Sequence, residues 1–356
     1  MSLLDHFDFH AQTALPGLPF DALHADIRNR AREHDLPVVV DTAEEIQIET
    51  VYGNYSFQRQ ATETIAVIGA SRADWLFTLK DSLSDTIAQL VPDVAAAIRW
   101  SDAQEQAGKL PPNFQFITIR AVTRVPGHFL RVEAEAEDLS HFTTDAIHFR
   151  LALPDPNLAH PEWPYLSESG QTIWPKGDAS LHRPVYTVRE MDAASGRLVF
   201  DIFEHEGGRA TEWARTVTPG TRVGLTGPGG GGIPEAKALR IYADETGFPA
   251  VARILETLDT DARGQVILEL TDPVSGDYPL PEHTGLTVER RAAGGDDLGD
   301  LAIAGLAAAP DHMVWLAAEK TAAQKLRAHF KSAGLNARDH YVSAYWTRPA
   351  PAEDHA

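Results

Sequence analysis

DIFEHEGGRATEWARTVTPGTRVGLTGPGG, residues 201–230, is the stretch on which the reading of this chain turns. A β-type run reaches His205, two glycines follow at Gly207 and Gly208, and a short helix starts near Ala210 or Thr211. Glycines placed there let backbone amides approach a ligand closely, and the helix N-terminus that follows attracts anions. Just upstream, RPVYTVRE (183–190) is a strand-like run that begins with a cation. An arginine on a neighbouring strand can add a bidentate phosphate contact. The two segments together read as a cradle for a phosphate-bearing ligand.

Around this centre, FQFITIRAVTRV, HFLRVEAEAE, AIHFRLALP, RPVYTVRE, GRLVFDIFEH and TRVGLTG are six short strands with turns between them. That pattern predicts an antiparallel barrel or sandwich over 114–234. After Pro234 the rhythm changes. ALRIYADETGFPAVARILETL reads strand, turn, helix; QVILELTD and GLTVERRA are strands; MVWLAAEKTAAQKLRAHFKSAG repeats strand, turn, helix; YVSAYW is a last strand. Strands alternating with helices predict a parallel, doubly wound α/β domain over 235–349, followed by a flexible tail, 350–356. The glycine run TGPGGGGIP (226–234) precedes a strand rather than a helix, so it is no dinucleotide fingerprint and reads as a mobile connection. The turn that does join strand to helix is ADETGFPA, where Asp244, Glu245 and Thr246 sit at the carboxyl end of a strand. Open α/β sheets bind ligands there, although Asp244 or Thr246 equally suits a helix cap.

Residues 1–100 read as a separate small α+β or α/β unit: a helix over FDALHADIRNRAREHD, strands in PVVVDT, EIQIETVYG, NYSFQRQ and TETIAVIG, and a second amphipathic helix from Trp75 to Val91. SDAQEQAGKLPPN, 101–113, reads as a linker. A formal net charge of −20 argues against nucleic acid and anionic membranes as partners, because both require surplus Lys and Arg. With no cysteine, the chain cannot form disulfides, thiolate-zinc sites or cysteine-held Fe–S clusters. No basic, apolar leader opens the sequence, and the expected location is cytoplasmic. His6 and His10 in HFDFH could pair on a metal, but exposed histidines near a terminus are commonly incidental, and no metal site is expected.

RPVYT, DIFEHEGGRATEWA, TPGTRVGLTGPGG, ADETGFPAVARILE, MVWLAAEKTAAQKLR and AYW, in that order, resemble the siderophore-interacting proteins from about Phe114 to Arg348. That resemblance implies an FAD-dependent ferric-siderophore reductase with a ferredoxin–NADP reductase-like fold: a multi-domain chain with a β-barrel FAD-binding domain and a parallel-sheet NAD(P)-binding-like domain. It implies that Arg183 meets the FAD pyrophosphate, that Tyr186 packs on the isoalloxazine or its ribityl chain, and that Thr187 lies near flavin N5. Tyr186 and Thr187 are thus the residues nearest the chemistry. Strict alternation puts Tyr186 on the face opposite Arg183 and Thr187, so the ligand is expected along a strand edge or end. His205, Gly207, Gly208, Ala210, Thr211 and Trp213 match the family's H-G-x-G-P-A-S/T-x-W-A motif, whereas Glu206 and Arg209 depart from it. Asp244, Glu245 and Thr246 are implied to border the nicotinamide side of the flavin. Tyr345 or Trp346 either stacks on a ring of FAD or simply packs the core.

The implied reaction takes hydride from NADPH or NADH, or electrons from ferredoxin, and delivers single electrons through flavin to Fe(III), whose hard oxygen ligands suit Fe(II) less well. Lys320, Lys325 and Arg327 are candidates to hold an anionic ferric siderophore, with Lys320 and Arg327 the preferred pair; a solvated helix face is the alternative. Arg290 and Arg291 could read a 2′-phosphate or form a surface ion-pair cluster. Two rival functions stay open: a general NAD(P)H–flavin or ferredoxin-type reductase, and a non-enzymatic flavin- or siderophore-binding module.

Overall fold

The structure is a computed structural model that describes residues 6–33, 36–103 and 106–348. The expected tail at 350–356, residue 349 of the α/β domain and residues 104–105 of the linker lie outside the described residues. Contacts divide the chain into two compact units, residues 1–115 with 154–181, and 116–153 with 182–356.

In the first unit, β1 (Phe9–Leu15), α1 (Phe20–Glu33), β2 (Val38–Asp41), β3 (Glu45–Thr50), β4 (Gly53–Arg59), β5 (Thr64–Ala70), α2 (Ala73–Leu90) and α3 (Pro92–Ala97) follow in order. The strands form one antiparallel sheet, β1-β5-β4-β3-β2, so the unit is α+β rather than α/β. β1 was not expected; its histidine- and glutamine-bearing sequence hides an alternating buried face of Ala11, Thr13 and Leu15. Leu23 and Ile27 of α1 share a core with Leu76, Leu79, Leu83 and Ile87 of α2 and with Ile46, Ile48, Phe57 and Ile68 of the sheet. Helical spacing of those residues explains why both helices lie flat on it. Lys80, 1% exposed, is held by both carboxylate oxygens of Asp102 at 2.7 and 2.9 Å.

β6 (Phe114–Val125), β7 (Phe129–Ala136) and β8 (His148–Ala152) begin the barrel, but the chain then leaves it. Residues 154–181, expected as part of a continuous barrel domain, belong to the first unit, where they carry β9 (Tyr165–Leu166) and β10 (Thr172–Ile173). Polar bonds hold them there: Trp100 N donates to the Ser169 carbonyl (3.0 Å), Gly108 N to that of Leu166 (2.7 Å), and Thr172 Oγ1 to Asp81 (2.7 Å). These bonds also fix the described part of 101–113, so that stretch is packed structure rather than a loose linker.

The chain returns to the barrel through β11 (Val185–Thr187), β12 (Glu190–Asp192), β13 (Arg197–Phe203), α4 (Arg209–Thr216) and β14 (Arg222–Gly229). The sheet order is β11-β8-β14-β6-β7-β13-β12. Its two end strands are consecutive in sequence, and Val188 N bonds the Ile147 carbonyl while Arg189 N bonds that of Val199, so the sheet curls round on itself. Phe149, Leu151, Leu198, Phe200, Ile202, Val223 and Leu225 fill the interior.

β15 (Ala238–Ala243), α5 (Phe248–Thr257), β16 (Arg263–Leu270), β17 (Leu286–Ala292), α6 (Leu298–Ala308), β18 (Met313–Glu319), α7 (Lys320–Ala333) and β19 (Tyr341–Trp346) complete the chain. Their strands form the parallel sheet β17-β16-β15-β18-β19. The order reverses between β15 and β18, and the crevice beyond their carboxyl ends is where such sheets take ligands. Buried and partly buried polar links bind barrel to α/β portion. Asp201 of β13 accepts two bonds from Arg131 (both 2.8 Å) and one from Tyr278 (2.7 Å). Arg189 pairs bidentately with Glu256 of α5 at 2.6 and 2.8 Å, and Arg253 donates to the Val188 carbonyl at 2.6 Å.

Candidate active site

β11 is short, lies at an end of the sheet order and pairs with β8 in the register Val185↔Arg150, Tyr186↔Phe149, Thr187↔His148. Arg183 stands exposed before it, held in an extended approach by Pro184. Tyr186 turns its ring to Phe200 (centroids 5.6 Å apart), and burial pushes its phenol well up. Thr187 is buried, with Oγ1 3.1 Å from His148 Nδ1. The five residues from Arg183 to Thr187 span roughly 13 Å of extended chain.

Next to the start of this strand lies the glycine turn. β13 ends at Phe203, two residues before the expected end at His205, and Gly207 takes the left-handed conformation (φ +71°) that lets the chain reverse into α4. Gly208 caps the helix without any side-chain hydrogen bond, so the first-turn amides of α4 are left for another acceptor. A Cβ at Gly208 would lie 2.6 Å from the His205 ring and 3.0 Å from Thr211 Oγ1. Thr211 is buried and Trp213 packs on the barrel core. His182, one residue before Arg183, is lowered by burial and by the charge of Arg209, which sets the strand's start beside the helix's first turn. Uncapped amides, a glycine that admits no side chain and two arginines at the same end suit a pyrophosphate; the residues fit FAD.

The third element is the turn after β15. Asp244 accepts from Thr246 N (3.1 Å), Thr246 Oγ1 (2.5 Å) and Trp346 Nε1 (2.7 Å). Burial pushes its carboxyl up to about 6 against those bonds. Glu245 points away, accepting from Thr271 N (2.5 Å), Thr271 Oγ1 (2.8 Å) and Ser275 Oγ (2.9 Å), and so braces the turn. Tyr345 OH lies 3.1 Å from His148 Nε2, with the rings edge to face at 85°. Thr187, His148, Tyr345, Trp346 and Asp244 thus converge where barrel and parallel sheet meet. His148 was missed by the sequence reading. Its strand, AIHFRLALP, reads as ordinary barrel, and its partners are 39 and 197 residues distant. Burial, then the charge of Arg253, lowers it to about 4 and keeps it neutral.

Two expectations need correction. Lys325 is engaged by Asp297 (2.6 Å) and Asp300 (2.7 Å), which ties α7 to α6 and spends the charge proposed for substrate. Arg327 donates to the Val342 carbonyl (2.6 Å), while Lys320 stands exposed at the first position of α7. The glycine run is not a mobile connection either: Ile147 N bonds the Gly231 carbonyl and Ile233 N that of Thr144. A Cβ at Gly230 would come within 2.5 Å of His148, and one at Gly231 within 2.2 Å of Tyr341, so the run is bare because it threads between them. Arg290 and Arg291 lie on the edge strand β17, where Arg291 moderates the upward push of burial on Glu269. His6 and His10 are exposed, and among the described residues no group of three or more metal-ligating side chains is assembled.

Residues 118–232 match the siderophore-interacting FAD-binding domain, and residues 236–349 match the siderophore-interacting protein family. The chain belongs to the siderophore-interacting protein family. It is 31% identical over 244 residues to the NADPH-dependent ferric-chelate reductase of Escherichia coli, covering 65% of this chain and 92% of that protein. To the ferric vibriobactin reductase of Vibrio cholerae it is 34% identical over 156 residues, 42% of this chain and 55% of the other. The crystal structure of a siderophore utilization protein from T. fusca superposes with a TM-score of 0.57 at 28% identity, covering 70% of this chain and 99% of that one. The family matches begin after the first unit's sheet and helices, and among the described residues no helix is long and apolar enough to cross a membrane.

Proposed function

We propose that the chain is an FAD-dependent reductase that passes electrons from NADPH or NADH to an Fe(III)-siderophore and so releases Fe(II). The observation that carries this reading is the meeting, in one compact unit, of the β11 strand, the uncapped first turn of α4 and the Asp244 turn at the switch point of the parallel sheet. Family membership and the naming of relatives as ferric-chelate and ferric vibriobactin reductases support it.

In this reading Arg183, with the backbone of Gly207, Gly208 and Arg209, binds the FAD pyrophosphate, and His205, Ala210, Thr211 and Trp213 shape the turn. Tyr186 and Thr187 orient the isoalloxazine, whose chemistry when bound is to exchange a two-electron donor for one-electron acceptors. Asp244 and Thr246 border the nicotinamide side, with Glu245 bracing them. Trp346 is fixed by its bond to Asp244, and Tyr345 excludes water behind Thr187. Lys320 and the exposed flank of Arg327 attract the anionic ferric chelate. Fe(III) held by hard oxygen donors loosens on one-electron reduction, so no protein ligand to iron is required. NAD(P)H supply makes the cytoplasm the fitting location, and residues 1–100 form an appended domain outside the reductase.

The test is anaerobic. Protein loaded with FAD is mixed with NADPH, then with a ferric hydroxamate or catecholate and a ferrous-specific chelator. Bleaching followed by recovery of the yellow colour, with the ferrous complex forming in step, is expected. Equal rates with ferric citrate point to the general reductase, and a yellow protein that no donor bleaches points to a binding module.

A further inference from the structure

We propose that His148 is a positioning residue for Thr187, and that its imidazole exchanges tautomers when bound FAD changes oxidation state. The inference rests on the reading above, in which Thr187 lies beside flavin N5.

Among the described residues His148 bridges two hydroxyls: Nδ1 is 3.1 Å from Thr187 Oγ1 and Nε2 is 3.1 Å from Tyr345 OH. A neutral imidazole offers one donor and one acceptor, so the row of bonds runs one way or the other. A charged ring would donate at both ends and lose that polarity; burial and the charge of Arg253 hold it neutral. The ring is also caged. Gly230 packs so closely that a Cβ there would sit 2.5 Å from His148 Cδ2, and the Tyr345 ring stands edge-on at 5.5 Å. Rotation is therefore blocked, and moving a hydrogen between the two nitrogens is the response left to it.

Such a reversal is what flavin N5 requires of a hydroxyl beside it. Oxidised N5 is an acceptor, so Thr187 donates to it, Nδ1–H donates to Thr187, and Tyr345 donates to Nε2. Reduced N5 carries a hydrogen and donates, so Thr187 accepts from it and turns its own hydrogen to Nδ1. Nε2–H then donates to Tyr345, whose hydroxyl turns to one of its other hydrogen-bond neighbours, Tyr341 or Thr187. Nδ1 passes its hydrogen to Thr187, Thr187 passes one to its hydrogen-bond neighbour Tyr345, and Tyr345 passes one to Nε2, so each of the three holds one hydrogen in both states and no proton enters or leaves. An imidazole does this without moving a heavy atom, whereas lysine or arginine can only donate and a carboxylate only accept.

The experiment uses the whole chain loaded with FAD and labelled with ¹⁵N-histidine, observed by NMR in the oxidised state and after anaerobic reduction; His148→Gln identifies the resonances. The expected result is a protonated Nδ1 in the oxidised protein and a protonated Nε2 in the reduced one, with Thr187→Val abolishing the change. The same tautomer in both states, a doubly protonated ring, or an exchange that persists in Thr187→Val overturns the proposal. A protein that takes up no FAD overturns the functional reading itself, and this inference with it.

Discussion

Asp201→Ala tests how the two halves of the reductase unit are joined. Asp201 is 2% exposed and serves three donors, two from Arg131 on β7 and one from the Tyr278 phenol of the α/β portion. Tyr278 is itself 2% exposed and packs its ring 4.3 Å from that of Phe129, so water cannot replace the lost acceptor without opening that contact. Removing one partner of a buried, hydrogen-bonded charge pair costs about 3–5 kcal/mol. At the 2–4 °C per kcal/mol usual for a unit of this size, the melting midpoint falls by roughly 6–20 °C. Tyr278→Phe leaves Asp201 paired with Arg131 and gives up one buried hydrogen bond, about 1–2 kcal/mol, or roughly 2–8 °C. The assay is thermal unfolding followed by circular dichroism, with FAD uptake measured alongside. Because β11 and β8 come from one half and β19 and the Asp244 turn from the other, the larger destabilisation should also weaken FAD. If Asp201→Ala melts within about 2 °C of the parent, smaller than one buried hydrogen bond, the claim that this cluster fastens the halves is wrong.

Gly208→Ala, which drives a Cβ into His205, and Arg183→Ala, which removes the strand's leading cation, should each weaken FAD affinity at least about tenfold in a fluorescence titration, the size of one charge-assisted contact; an unchanged affinity in either would discard its assignment. Two buried groups act oppositely on acid stability. His148, folded pKa about 4 against 6.5, contributes stability present above pH 6.5 and lost as pH falls toward 4, whereas Asp244, raised from 3.8 to about 6, contributes stability present below pH 3.8 and lost as pH rises through 6. His148→Gln deletes only the first, so between pH 6.5 and 4 it should gain about 3 kcal/mol relative to the parent in urea unfolding; a pH-independent difference would contradict the assignment. Lys320→Glu should raise KM for a ferric siderophore several-fold, roughly 1 kcal/mol of lost attraction, with kcat little changed; Lys325→Ala, whose cation already faces Asp297 and Asp300, should leave KM within about twofold.

What could be read from sequence follows the range of the interactions involved. Strand alternation and the glycine pair before a helix are local, and they gave the barrel, the parallel sheet, the α4 turn and the Asp244 turn. Partners far apart in the chain left no such trace. His148 gains its meaning from Thr187 and Tyr345, and Lys325 loses its availability to carboxylates 25 and 28 residues upstream. Residues 154–181 are rich in proline and polar side chains, which hides that their backbone bonds to Trp100, Gly108 and Lys109 within the first unit. The glycine run looked mobile because composition records the missing side chains but not the His148 and Tyr341 rings that exclude them.

FAD binding by this chain is tested most directly by titrating flavin-free protein with FAD, followed by fluorescence quenching and checked by stoichiometry after gel filtration. One FAD per chain is predicted, bound tightly enough to survive the column and weakened by Arg183→Ala. Protein that is folded by circular dichroism yet leaves added FAD entirely in the small-molecule fraction would contradict it.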